Sequence, residues 1–153
     1  MTVVKGWISG SLDFEKLPNS VKPLLGDAIA LNTTATVRLE NGTWKFLGNK
    51  TECALLVYSN KLDCDFEDLR GKFKVIKRFN FSSERKRMTT VVQTNDQWRL
   101  HCKGASEVIL SLSSHVYMDG KVTEMTQDVS NAIGEVINKF ATGGKKKVCN
   151  VLI

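Results

Sequence analysis

Phe81, Lys86 and Lys103, the last followed by Gly104, have the types and spacing of a site that could hold a nucleotide. A base needs an aromatic or apolar face, and phosphates need cations or oriented amides. Phe81 heads the stretch Phe81-Ser82-Ser83-Glu84-Arg85-Lys86-Arg87-Met88 and stands just before a predicted strand, where it can be exposed at a sheet edge. Lys86 falls at the start of that strand and Lys103 at the end of the next, positions that an antiparallel hairpin brings close. Gly104 lets a ligand approach the backbone. Residue types alone leave two readings open, an anion or nucleotide pocket and an ordinary basic hairpin.

No reaction can be assembled from the remaining residues. The chain has no G-x-x-x-x-G-K-[ST] loop and no G-x-G-x-x-G turn. His101 and His115 have no Ser or Cys partner in a recognisable motif, and His101, in mid-strand, reads as structural. The acid pairs Asp63/Asp65 and Glu67/Asp68 are expected on a helix surface. No catalytic residue and no metal ligand is assigned. Four scattered cysteines, Cys53, Cys64, Cys102 and Cys149, lack C-x-x-C spacing and read as free buried thiols of a reducing compartment.

The elements that must position these residues follow from hydrophobic period and punctuation. Thr2 to Ile8 reads as an opening strand. Ser20 to Leu31 has helical spacing, with Pro23 in the first turn where it is tolerated. Thr36–Glu40 and Trp44–Phe46 flank the Asn41-Gly42 turn of a hairpin. Thr51 reads as a helix start ahead of Ala54 to Tyr58, with Glu52 in the first turn. A short helix over Asp65 to Leu69 ends at Gly71. Strands are predicted at 73–79, 88–93 and 98–102, with Asn95-Asp96 as a turn. Gly104 is expected to break the last of these, ahead of a helix over 105–112. Tyr117 to Lys121 is a turn between short extended pieces, and Thr126 caps a helix over 128–140 that ends at Gly143-Gly144. Val148 to Ile153 is a final strand. The sum is an α+β domain, an antiparallel β-sheet flanked by helices.

The 153 residues are the size of one ordinary domain, and 42% hydrophobic with 25% charged residues is a globular composition. No apolar run approaches the roughly 18 residues that span a bilayer, and the start lacks the regions of a signal peptide. A net charge of +6 favours anionic partners without choosing among them. A basic nucleic-acid-binding module, using Arg85 to Arg87 and Lys145 to Lys147, and a ligand-free interaction domain are the readings from other classes. The 8% aromatic content shows no stacking stripe of the single-strand-binding kind.

Three segments in order carry a family resemblance: Thr51-Glu52-Cys53-Ala54-Leu55, Phe81 through Met88, and Lys103-Gly104-Ala105. They are similar to the T-E-x-A-L, F-x-x-x-R-K-x-M and K-G-A segments of the nucleotide-binding (N) domain of P-type cation-transporting ATPases. The strings Gly48 to Leu56 and Lys103-Gly104-Ala105-Ser106-Glu107 resemble the plasma-membrane-type, calmodulin-regulated calcium pumps in particular. Met1-Thr2-Val3-Val4 resembles the sequence that follows the phosphorylation motif in these pumps.

The resemblance implies a single N domain over residues 1–153, a fragment of a larger membrane pump, with 1–8 and 147–153 adjoining the phosphorylation domain. It implies ATP binding, with Phe81 stacking on adenine, Glu52 hydrogen-bonding the adenine side, Lys103 on the pocket floor beside Gly104, and Lys86 toward the phosphates. The family's arginine after a glycine corresponds to Lys146, a point charge in place of a bidentate fork. The implied enzyme is a calcium-transporting ATPase whose phosphorylated aspartate lies outside this sequence. Mg2+ would accompany the nucleotide and be ligated mainly elsewhere. The implied partners are ATP or ADP and the phosphorylation and actuator domains, with no nucleic acid. Membrane attachment would come only through transmembrane helices absent here. The implied location is the cytoplasmic face of a plasma or internal calcium-store membrane. A pump for another cation would share much of this domain.

Overall fold

The computed structural model describes residues 2–3, 6–11, 17–95, 97–118 and 120–142, and the backbone alone of 149–152. Of the predicted opening strand, the described residues form only a single bridge, Ile8 to Ser11, across a turn with Ser9 and Gly10 at positive φ. Residues 4 and 5 of that stretch lie outside the described residues.

Helix α1 (Val21–Leu31) buries Val21, Ala28, Ile29, Ala30 and Leu31. Strands β1 (Thr36–Glu40) and β2 (Thr43–Leu47) pair antiparallel. Their turn has Asn41 and Gly42 both at positive φ, the twist that matches a tight hairpin. Helix α2 (Lys50–Lys61) starts earlier than the Thr51 reading. Asn49, extended in backbone, accepts hydrogen bonds on its side chain from the Thr51 and Glu52 amides at 2.8 and 3.4 Å. Asn49 is therefore the cap, and Thr51 lies inside the first turn. Helix α3 (Phe66–Lys72) is capped by Asp65, whose carboxylate takes the Glu67 and Asp68 amides. Asp65 is thus a cap and not helix-surface decoration, and Gly71 falls within the helix.

Strands β3 (Lys74–Ser82), β4 (Arg87–Gln93) and β5 (Trp98–Gly104) form a meander, and β8 (Cys149–Leu152) pairs with β5. All pairings are antiparallel. Helix α4 (Ser106–Ser111) follows β5 directly. The small hairpin β6 (His115–Met118) and β7 (Lys121–Glu124) then leads to α5 (Gln127–Thr142). Thr126 caps α5, its hydroxyl accepting from the Val129 amide at 3.3 Å. The predicted end of α5 at Gly143-Gly144 lies outside the described residues.

The core lies between α1, α2, α3 and one face of the sheet, with Leu31, Leu56 and Val92 fully enclosed. Alternation along β4 sets that face: Met88, Thr90 and Val92 are buried, while Thr89 and Val91 are half-buried on the other side. Cross-strand pairing extends the buried face to Lys103, His101 and Arg99 of β5. Arg99 and Lys103 on this face take carboxylate partners, Asp27 and Glu52, whereas both ring nitrogens of buried His101 have no hydrogen-bond partner among the described residues.

Candidate functional site

Lys103 sits at the penultimate position of β5, opposite Met88, with only 8% of its surface exposed. Its ammonium donates to Glu52 Oε1 at 2.8 Å and to the main-chain carbonyl of Asn32. Glu52, in the first turn of α2 and equally enclosed at 8%, gives its second oxygen to the loop after α1. Oε2 accepts from the Thr34 amide at 3.1 Å, the Ala35 amide at 3.2 Å and the Thr34 hydroxyl at 3.3 Å. A carboxylate has about two lone-pair sites on each oxygen, so three donors crowd Oε2 while Oε1, which accepts from Lys103, keeps room for another donor. The loop of residues 32–35 thus closes over both charges, offering a carbonyl to the cation and amides to the anion.

The electrostatics follow from these contacts. Burial pushes the Glu52 carboxyl up, but the Lys103 ammonium and the Thr33 and Thr34 hydrogen bonds outweigh it and hold it below the ordinary value. Burial lowers Lys103. Glu52 opposes that shift, and the nearby Arg78 and Arg70 guanidiniums reinforce it, leaving the amine below its ordinary value. Both arginines stand at the same helix end. Arg70 Nε donates to the Ala30 carbonyl at 3.0 Å and its Nη2 to the Ala35 carbonyl at 2.8 Å. Arg78 Nη2 donates to the Leu31 carbonyl at 3.2 Å. Three consecutive carbonyls, of Ala30, Leu31 and Asn32, therefore receive one cation each, from α3, β3 and β5. They are orphan acceptors at the negative end of α1, where cations are favourable.

The other predicted residues form a rim at the same end of the sheet. Phe81 lies within β3, which runs past the predicted 73–79 to Ser82, in an irregularity where Asn80 and Phe81 oppose Met88, the cross-strand neighbour of Lys103. Its ring is 61% exposed. Lys86 closes the β3–β4 turn at positive φ with an exposed side chain. Its carbonyl accepts from the Ala105 amide at 3.0 Å. Gly104 does not break β5 but ends it, paired with Arg87 and Cys149. A Cβ there would meet the Lys86 carbonyl oxygen at 2.4 Å and the Arg87 Cα at 2.9 Å. The close approach this glycine permits is therefore by the Lys86–Arg87 backbone, which presses the turn against the strand bearing Lys103.

Glu52 and Lys103 are in direct contact, and Lys86 and Gly104 meet through their backbones. Phe81 stands across Met88 from Lys103 and is mostly exposed. Lys146 lies outside the described residues. Sequence reasoning passed over the Asn32-Thr33-Thr34 loop, Arg70 and Arg78. The one local signal was a polar triplet closing an apolar helix, which reads as a helix stop and says nothing of a charged pair beneath it. Among the described residues no group of three His, Cys, Asp or Glu could hold a metal ion, and no helix is long and apolar enough to cross a membrane.

Residues 20–150 match the family model for the cytoplasmic domain N of P-type ATPases. The chain is 35% identical over 155 residues to the calcium-transporting ATPase PAT1 of Dictyostelium discoideum, covering 97% of this chain and 14% of that protein. It is 36% identical over 146 residues to calcium-transporting ATPase 8, plasma membrane-type, of Arabidopsis thaliana, covering 92% of this chain and 14% of that protein. To the human plasma membrane calcium-transporting ATPase 4 it is 32% identical over 167 residues, covering 97% of this chain and 13% of the human protein. The chain thus spans about a seventh of the length of these relatives. The matches support the pump reading and give none to a nucleic-acid-binding module.

Proposed function

Since this chain belongs to the family of P-type ATPase cytoplasmic N domains, we propose that it binds ATP for a calcium-transporting pump and presents the γ-phosphate to an aspartate outside this sequence. The single observation that carries the reading is the convergence of the buried Glu52–Lys103 pair with an exposed Phe81 at one end of the β3–β4–β5 meander. In this reading Phe81 is the adenine platform, Lys103 the floor and Lys86 the cation toward the phosphates. Gly104 keeps the Lys86 turn seated against β5. Glu52 holds Lys103, and the second lone pair of its Oε1 is the acceptor for a donor on the adenine side. Lys146, the counterpart of the family's arginine, is assigned to nucleotide binding on the resemblance alone.

In this reading Mg2+ arrives with the nucleotide phosphates and is ligated mainly outside this sequence. The working location is the cytoplasmic face of a plasma or internal calcium-store membrane, with the phosphorylation and actuator domains of the same pump as partners. One aromatic platform and a few cations give an affinity of about 0.1 to several mM, or roughly 3.5 to 5.5 kcal/mol. Weak binding suits a domain that must deliver its nucleotide and then release the product.

The test is an ATP titration followed by two-dimensional NMR, with Phe81→Ala and Lys103→Ala beside the unmodified chain. Saturable shifts around Glu52, Phe81 and Lys103 that both substitutions abolish are expected. A folded sample silent at several mM ATP would remove the nucleotide reading.

A further inference from the structure

The geometry points to Asn32 as the positioning residue of the Lys103 ammonium, acting through its hydrogen bonds to β4. The inference rests on the nucleotide reading above for its consequence, though not for its geometry. Asn32 is 1% exposed; its main-chain amide closes α1 on the Ala28 carbonyl, and its other polar groups go to different parts of the floor. Its main-chain carbonyl accepts from Lys103 Nζ. Its side-chain Oδ1 accepts from the Thr90 hydroxyl at 2.9 Å, and Nδ2 donates to the Met88 carbonyl at 3.4 Å. Met88 and Thr90 are the β4 residues paired with Lys103 and His101. Asn32 therefore fastens the end of α1 to the strand beside the one that carries the lysine.

A lysine ammonium has three rotatable donors on a flexible four-carbon stem and no direction of its own. Glu52 Oε1 fixes one donor and leaves the head free to swing about that contact. A second acceptor, the Asn32 carbonyl, sets two of the three and so aims the third. Arg78 and Arg70 reach the adjoining carbonyls of Leu31 and Ala30 with their own side chains, whereas at Asn32 the helix end contributes its own side chain to the tie with β4. Ending a helix needs none of this, because a C-cap residue can satisfy its polar groups in water. A buried amide costs free energy unless its hydrogen bonds are made, and the partners made here all lie on the floor beneath the ligand.

The test uses Asn32→Ala, Thr90→Val, which keeps side-chain shape but removes the hydroxyl, and Thr90→Ser, which restores it. ATP affinity is measured together with the ammonium 1H–15N signal of Lys103 in 15N-lysine-labelled protein, with Lys103→Ala assigning that signal. Asn32→Ala and Thr90→Val are expected to raise the ATP Kd about tenfold, while Thr90→Ser stays within about twofold of the unmodified chain. The ammonium signal, slowed in exchange by two fixed hydrogen bonds, should disappear in Thr90→Val and return in Thr90→Ser. A role confined to stability would lower the unfolding midpoint and leave Kd and the ammonium signal unchanged, and that result overturns the inference. If the unmodified chain does not bind ATP, the functional reading falls, while the ammonium signal still decides whether Asn32 and Thr90 position the lysine. Should Asn32→Ala not fold, the Thr90 series decides alone.

Discussion

Strand β5 carries two ion pairs on one face, four residues apart, and their carboxylates respond to burial in opposite directions. Asp27 in α1 meets Arg99 at 3.3 Å, and its carboxyl is pushed above the ordinary value because burial outweighs the attraction of Arg99. Glu52 meets Lys103 at 2.8 Å and is held below it. Both carboxylates are nearly enclosed, so enclosure does not separate them. The difference lies in what replaces water: Glu52 receives two backbone amides and a hydroxyl besides the ammonium, whereas the charged contact seen for Asp27 is one guanidinium that itself remains a third exposed. A buried charge is tolerated when the chain re-solvates it, and a counter-ion alone does not suffice.

The largest effect should come from breaking the re-solvated pair. Lys103→Ala strands the Glu52 carboxylate under the 32–35 loop and is expected to cost about 3–5 kcal/mol of stability, read as a drop in the urea midpoint. Replacing both partners, Glu52→Gln with Lys103→Met, should cost less than the two single changes added together, because neither partner is then left charged. Additive costs would mean that the two groups do not act as a unit.

Between the two ion pairs, on the same face, sits His101, 1% exposed and opposite Thr90. Burial, with Arg99 two residues away, lowers its pKa from 6.5 to about 4. Between those values the unfolded chain takes up a proton that the folded chain refuses, so stability is complete above pH 6.5 and declines as pH falls toward 4. The full decline amounts to roughly 3 kcal/mol, with about 2 kcal/mol of it reached by pH 5. Urea unfolding at pH 7 and pH 5 should show this slope for the unmodified chain and a shallower one for His101→Phe. Glu52 adds a further loss only below its own ordinary range, as acid removes the charge that Lys103 holds in place.

What the sequence disclosed and what it withheld divide along the same physical line. Signals carried by neighbours in the chain were legible. Asn41-Gly42 announced the first hairpin, the β-branched run after Met88 announced β4, and the three ordered segments around Glu52, Phe81 and Lys103 announced the family. Gly104 read as a strand breaker because local propensity assigns glycine that role. The structure requires it for a tertiary reason, the Lys86 carbonyl lying where a Cβ would be. Asn49 outcompeted Thr51 as the α2 cap by adopting the extended backbone a cap needs, a conformation that composition does not encode. Arg70, Arg78 and Asn32 were invisible for the same kind of reason. Their partners are main-chain carbonyls and strands 35 to 71 residues away, and a carbonyl has no residue type to recognise.

The weaker pair supplies the finest test. If re-solvation is what distinguishes the two carboxylates, Asp27→Asn removes a charge that burial already disfavours, and stability at pH 7 should change by less than about 1 kcal/mol in either direction. The sign of its pH dependence should also be opposite to that of Glu52. A raised folded pKa means that Asp27 costs stability above its unfolded value and is relieved as pH falls, so the neutral variant should gain relative to the unmodified chain as pH rises from 4 to 7. Parallel urea titrations, of Asp27→Asn from pH 4 to 7 and of Glu52→Gln from pH 4.5 downward, measure both slopes. Slopes of the same sign would mean that proximity to a cation governs both sites and that the backbone amides around Glu52 add nothing. Slopes of opposite sign would assign the stability of the Glu52–Lys103 floor to the 32–35 loop. The charged floor would then depend on the chain segment that closes over it as much as on the lysine.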